Sequence, residues 1–479
     1  PDYMIPTTYT PLDTIPLNAN GKTNHKALPT PDRDELDAAR EHVAPSTATE
    51  RRLAEIWAEV LGVERIGATD SFFELGGHSI LIIKVVSAAR QADLPLSLMM
   101  FYRHDTLGEL AAELDGVLAA ERPAGPSGES VTRSAPSGGS AAVSRSAPRS
   151  LLDTVDTGRV PGVSIAVIEG GELVAAETLG TLVAGGAEPV TPETLFQVGS
   201  VSKHVTALGV LRLAQDGVID LDEDVNTYLK GWRVPGVDGG RPPRITSRQL
   251  LGHLSGLTPT LGKGYRRGEP LPGLVDLLNG RTSDGARPVR PDLVPGEVFR
   301  KANVHFSVLQ QVVVDATGRG FAELMHSLLF APLGMTGTSF DQSFPETSGL
   351  PVAHGHDELG SPLAGGWLVR ADAAAAGLWT TAVDLAKLAL EVRRSYLGRP
   401  LALLGQDSAR ELLTPHDESF YGLGTVVDTL GADVQYGHGG EPIGYHALTV
   451  SLIQRGSGLV VLTNSSGGGD LIKAVADTR

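Results

Sequence analysis

The 479-residue chain contains no cysteine. That excludes disulfides, thiolate metal sites and a cysteine nucleophile, and leaves any covalent catalysis to oxygen or nitrogen. It also lacks an apolar run of the roughly 18 residues that a membrane span requires, so no membrane partner is expected. Positive charge is scarce: 40 Lys and Arg against 56 Asp and Glu give a formal net charge of -16. Acidic excess is the wrong sign for neutralising phosphates, so no nucleic-acid partner is expected either. The 13 histidines show no H-E-x-x-H pair or comparable ligand spacing, and no metal is expected. The opening "PDYMIPTTYTPLD" has neither a basic n-region nor an apolar h-region, which points to a cytoplasmic protein.

What is present divides the chain. Residues 121–149 are dominated by Ser, Pro, Gly and Ala, cannot offset their ordering entropy, and read as a flexible linker. As a random coil, about 29 residues span roughly 30 Å root-mean-square. Ahead of it, "TATERRLAEIWAEVLG" sets Leu53, Ile56, Trp57, Val60 and Leu61 at helical spacing, with Thr47 or Thr49 as N-cap. Further apolar patterns in "ILIIKVVSAARQA" and "TLGELAAELDGVLAA" complete a small all-α bundle over 46–120. Beyond the linker, "GVSIAVIEGGELVAAETLG" predicts two strands around a Gly-Gly turn, and a long helix begins near Ser200. Helices are predicted at "NVHFSVLQQVVVDATG" and "TAVDLAKLALEVRRSYLG". Strands are predicted in "YGLGTVVD", "VQYGHGG", "YHALTVSLIQ" and "SGLVVLTNSS". Strands at both ends with helices between indicate one α+β domain over 150–479, built on a mainly antiparallel sheet.

Two serines sit in chemically different settings. Ser79 follows Gly76 and Gly77 in "FFELGGHSI", a tight turn that displays a hydroxyl at a helix start, where a phosphate is also favoured. By itself such a serine is equally an N-cap. With "DSFFELGGHSI" at its centre, the stretch 46–120 resembles the thiolation (peptidyl carrier) domain of nonribosomal peptide synthetases. The resemblance implies a four-helix bundle, 4'-phosphopantetheine on Ser79, and a phosphopantetheinyl transferase and upstream synthetase modules as partners. Upstream, "PLNANGKTNHKAL" resembles the last core motif of an adenylation domain, with Lys22 as its lysine. Residues 1–38 would then be the tail of that domain, and Lys22 a boundary marker.

Ser200 lies in "FQVGSVSKHVTAL", and Lys203 follows three residues later, so hydroxyl and amine share one helix face. A lysine acts as base only when neutral, which requires a buried pocket with positive charge nearby. Three further strings follow in order: "HLSGLT" at 253–258, "PGEVFRKANVHFSVLQQ" at 295–311 and "YGHGGEPIGYHA" at 436–447. With "APLGMTGTSF" and "GLWTTAVDLA" they make 150–479 resemble the serine beta-lactamase and penicillin-binding-protein superfamily, especially its class C-like esterase branch. The resemblance implies an antiparallel sheet flanked by helices, Ser200 as acylated nucleophile and Lys203 as general base. His438 to Gly440 fall at the family's Lys-Thr-Gly-type strand, and the N–H groups of Ser200 and Glu441 would form the oxyanion hole. His253 reads as structural.

One departure stands out. Where the family has Tyr-x-Asn or Tyr-Ser-Gly, this chain has Lys301, Ala302 and Asn303. Lysine and tyrosine have similar unperturbed pKa values, about 10.4 and about 10, so Lys301 is placed to relay the same proton. It alternatively attracts a substrate carboxylate, or its presence marks an inactive domain; Tyr265 or Tyr445 would supply a phenol from elsewhere. Carrier and hydrolase together imply release of a carrier-bound peptidyl thioester, with Ser200 taking the chain from Ser79. The arrangement resembles the penicillin-binding-protein-type thioesterases of nonribosomal assembly lines, which favours head-to-tail macrolactam formation on a chain ending in a D residue. Hydrolytic release, trimming by an amidase or esterase, and a catalytically inactive docking domain are the alternatives.

Overall fold

The computed structural model describes residues 159–477, apart from 238–239, 260–263, 284–285, 417–419 and 431. It also describes 43–63, 65–72, 75, 85–86, 88–89, 92, 94–96, 100, 104 and 106–121. The predicted adenylation tail with Lys22, the linker after Glu121 and Ser79 lie outside the described residues; Glu121 itself is still helical. The described residues of 43–96 and 104–121 fall in one compact unit and those of 159–477 in a second.

In the first unit, helix α1 (Ala48–Leu61) starts at Thr47, whose side chain accepts the Glu50 N–H while Glu50 reaches back to the Thr47 N–H. This capping box selects Thr47 over Thr49, which is buried and bonded to Asp115. Gly62, at φ 67, ends the helix in the left-handed conformation. Leu53, Ile56 and Trp57 form its buried stripe, and the Trp57 ring meets Phe72 edge-on with centroids 5.0 Å apart. Against α1 packs α2 (Leu107–Glu121), burying Leu107, Leu110, Ala111 and Leu114.

The second unit is built on a six-stranded antiparallel sheet. Its strands are β1 (Gly162–Glu169), β2 (Glu172–Gly180), β3 (Val426–Leu430), β4 (Asp433–Gly440), β5 (His446–Leu452) and β6 (Gly458–Thr463), in the order β2-β1-β6-β5-β4-β3. Gly170 and Gly171, at φ 61 and 84, make the predicted hairpin turn. Both faces of the central strands are covered. Val163, Ile165 and Val167 of β1 pack with Leu459 and Val461 against the C-terminal helix, and Ala166 and Ile168 join the main core on the other face. That is why β1 reads as a continuous apolar run rather than an alternation. β3 begins at Val426, five residues later than "YGLGTVVD" predicts: Tyr421 makes only an isolated bridge, to Val426.

Three helices position the site. α3 (Val201–Gln215) is buried over most of its circumference, α4 (Asn303–Thr317) ends on Gly318 at φ 68, and the single turn α5 (Ala373–Ala376) packs on both. A buried helix cannot show an amphipathic stripe, and α3 carries apolar side chains nearly all round.

Candidate active site

Ser200 is the residue before α3 and Lys203 lies in its first turn, so one N-terminus delivers both groups. Lys203 is 1% exposed, and its amine is held by three oxygens: Ser200 Oγ at 2.9 Å, Asn303 Oδ1 at 2.8 Å and the Ala375 carbonyl at 2.8 Å. Burial, and then the charge of Lys301, push this amine well below the ordinary lysine value; Asp372 opposes them and Arg370 lowers it further. As an ammonium, Lys203 donates to all three oxygens. Once deprotonated, it can keep its two N–H bonds on the Asn303 and Ala375 oxygens, which are acceptors only, and turn its lone pair to the Ser200 hydroxyl.

Asn303 is oriented in turn. Its Nδ2 points to Asp372 Oδ2 at 3.5 Å, which turns Oδ1 towards Lys203. Asp372, 3% exposed, is held by Arg370 through Nε–Oδ1 and Nη2–Oδ2 bonds of 3.0 Å each. Such a bidentate pair offsets the desolvation of both charges. Sequence reasoning missed Arg370, Asp372 and the Ala375 carbonyl. "VRADAAAAG" carries no motif, and its only signal is an Arg-x-Asp pair beside an alanine run.

Lys301 differs from Lys203. Its residue surface is exposed, while protein crowds the amine and lowers it from the ordinary value; the Glu441 carboxylate raises it. Water still reaches Lys301 and screens the charges around it. The Glu441 side chain is 72% exposed and lies 3.4 Å from His446 Nε2, a bond that lowers its carboxyl.

His438, on β4, is 2% exposed. Burial, Lys301 and Lys203 hold it neutral, well below the usual histidine range. Its Nδ1–H donates to the Gly439 carbonyl at 2.6 Å, so its Nε2 accepts from the Tyr421 hydroxyl at 3.2 Å. Tyr421 was not foreseen. Tyr445, one expected substitute for the family phenol, donates its hydroxyl to the Ala353 carbonyl, and Tyr265 is buried on a two-residue strand paired with Val369.

The end of β4 runs against Ser200: a Cβ on Gly440 would collide with the Val198 carbonyl and approach the Ser200 nitrogen to 3.0 Å. Among the described residues, the N–H groups of Ser200 and Glu441 have no backbone acceptor. Ser200, Lys203 and Asn303 are thus in direct contact, and the charge of Lys301 acts on both Lys203 and His438. Ser79 lies outside the described residues.

A serine hydroxyl, a buried lysine amine and two backbone N–H groups thus converge at the end of a strand in an antiparallel sheet. The family model described as Beta-lactamase matches residues 149–477, and the chain belongs to that family. A second model, described as Phosphopantetheine attachment site, matches residues 51–114, so the protein also has a carrier domain and 4'-phosphopantetheine as its prosthetic group. Over 105 residues, 21% of this chain, it is 54% identical to tyrocidine synthase 3 of Brevibacillus parabrevis, and it spans about 2% of that synthase's length. The octameric penicillin-binding protein homologue from Pyrococcus abyssi shares the fold: TM-score 0.56, 24% identity, 68% of this chain and 75% of the other. SurE with D-Leu superposes with TM-score 0.54 and 26% identity over 68% of this chain and 72% of that one.

Proposed function

We propose that the chain is the release end of a nonribosomal peptide synthetase. Residues 1–38 are an adenylation-domain tail, 46–120 the carrier, 121–149 the linker and 150–479 a thioesterase that frees the peptide, most readily by head-to-tail macrolactam formation. One observation carries the reading: the buried Lys203 amine lies 2.9 Å from Ser200 Oγ, and its other two partners, the Asn303 and Ala375 oxygens, are acceptors only, so loss of a proton leaves its lone pair to the hydroxyl.

The phosphopantetheine arm at Ser79 supplies the thiol that holds the peptide as a thioester. Ser200 Oγ attacks the acyl carbonyl as its proton passes to Lys203, and the N–H groups of Ser200 and Glu441 stabilise the oxyanion. Collapse breaks the C–S bond and leaves the peptide as an ester on Ser200. A thiol of pKa about 8.5 departs readily as thiolate, whereas an amine must be protonated to leave. A thioester therefore asks less of the position where the family has tyrosine, which fits Lys301. The peptide's own amine then attacks the ester, forming C–N and breaking C–O; the amine loses a proton and Lys203 returns one to Ser200 Oγ. Attack by water in its place gives the linear acid.

The structural likeness to SurE with D-Leu supports a chain ending in a D residue. The test is mass spectrometry of holo-protein loaded with D-ended or L-ended peptidyl thioesters. Cyclic product, lost in Ser200→Ala and faster from the D-ended chain, is expected. Linear acid alone or a shortened peptide still on the carrier would replace cyclisation with hydrolysis or trimming. Release unaffected by Ser200→Ala would end the proposal.

A further inference from the structure

His253 lies outside the acyl-transfer groups, yet it sits in a conformation that needs explanation. It is fully buried with φ 60, one of three non-glycine residues with positive φ among those described, and another, Phe420, directly precedes Tyr421. A side chain held in the left-handed region is a sign that its surroundings dictate the geometry.

Those surroundings are the segment that delivers Lys301 and Asn303. The His253 carbonyl accepts the Arg300 N–H at 2.9 Å, and its Nδ1 accepts the Ala302 N–H at 3.5 Å, so the bonds flank Lys301 on both sides. Neighbouring residues of the same turn continue the clamp: Leu254 accepts from Gly296, Gly256 from Asp292 and Leu293, and Leu257 from the Arg300 guanidinium. From α4, His305 approaches with Nδ1 2.5 Å from His253 Nδ1. Burial first, then nearby cations, keep both rings neutral, with His305 lowered to about 3. Since the Ala302 N–H already points at His253 Nδ1, that atom is an acceptor and His305 Nδ1–H is the donor. The Nε2 atoms of both rings are buried without a hydrogen-bond partner among the described residues, a cost an apolar pair would avoid. On its other sides the His253 ring packs on Tyr421, Phe299 and Phe306, with centroids 4.9, 6.0 and 5.5 Å away.

We infer that His253 is a positioning residue: through Arg300 and Ala302 it sets where Lys301 and Asn303 stand relative to Ser200 and Lys203. This rests on the reading of Ser200 as the nucleophile, and the test separates the two. Full-length protein is treated with a fluorophosphonate, and phosphonylation of Ser200 is followed by intact mass, with circular dichroism and melting temperature recorded for every variant. An unlabelled wild type would sink the nucleophile reading itself.

With wild type labelled, His253→Gly is the decisive variant, because glycine accepts φ 60 without strain and removes only the ring. It is expected to label about 100-fold more slowly, the scale of a small misplacement of reacting groups. His253→Asn, whose Oδ1 falls near the position of Nδ1, is expected to recover most of that loss. Adding Lys301→Met to His253→Gly should slow labelling by less than it slows wild type, since both act through the same group. Labelling of His253→Gly within twofold of wild type, or strict additivity with Lys301→Met, overturns the inference even if the melting temperature falls.

Discussion

Two lysines serve this site from opposite environments. Lys203 is buried at the head of α3 with three oxygens around its amine, whereas Lys301 comes from a loop and keeps water contact beside Glu441. Identical side chains therefore arrive with different proton affinities: Lys203 is lowered well below the ordinary value and Lys301 less so, and the charge of Lys301 is part of what lowers Lys203. Exchanging a family tyrosine for lysine thus leaves the site with an internal electrostatic gradient, which substitution of either lysine removes and substitution of Asp372 or Glu441 alters.

The largest effect is expected from Lys203→Met, which should slow acylation of Ser200 by about 1,000-fold or more. Stability provides a second readout. The unfolded chain holds Lys203 at its ordinary value, so below 10.5 it binds a proton that the native state refuses. Stability contributed by the neutral amine is complete above 10.5 and is lost as pH falls towards the lowered native value. In that window the slope is about 1.4 kcal/mol per pH unit. Urea melts at several alkaline pH values should show Lys203→Met losing this slope; an unchanged slope would mean that Lys203 is charged in the native state.

Asp372→Asn comes next. It leaves the Arg370 guanidinium buried without its counter-ion, for which a loss of about 3–5 kcal/mol is expected by chemical denaturation. It also removes what fixes the Asn303 amide, because the new amide can present oxygen as well as nitrogen. Acylation by the folded protein should fall about 100-fold. A variant as active as wild type would show that Lys203 needs no oriented Asn303.

These two residues mark how far the sequence reaches. The serine–lysine spacing, the register of Asn303 and the strand holding His438 are local patterns, and each was legible because neighbouring residues fix its place. Asp372, Arg370 and Tyr421 were not, since their roles come from packing between segments far apart in the chain. Tyr421 was hidden for a further reason: "YGLGTVVD" looks like strand throughout, and only tertiary contacts show that its first five residues form the loop that brings a phenol to His438. The antiparallel sheet was readable from short apolar runs bounded by glycine turns, but the choice of Thr47 over Thr49 required the Thr49–Asp115 bond.

Lys301→Met should slow acylation by about 100-fold with an amide probe and by clearly less with a thioester, because thiolate leaves without a proton. Parallel rates on matched amide and thioester substrates measure the difference. Equal losses would remove the leaving-group explanation for lysine at this position.

The smallest expected effect belongs to Glu441→Gln. Its carboxylate raises the Lys301 amine, so removing that charge lowers Lys301, and a less charged Lys301 in turn depresses Lys203 less. The Lys203 titration should therefore move upward, and the acidic limb of the acylation profile should move to higher pH. Because the carboxylate is 72% exposed, solvent and salt screen it, and the displacement should stay below about one pH unit. High salt should bring wild type towards the variant, since screening does to the charge what the substitution does. A displacement as large as that from Lys301→Met, and unaffected by salt, would mean that Glu441 acts by direct contact with the reacting groups, and the gradient between the two lysines would then need a third member.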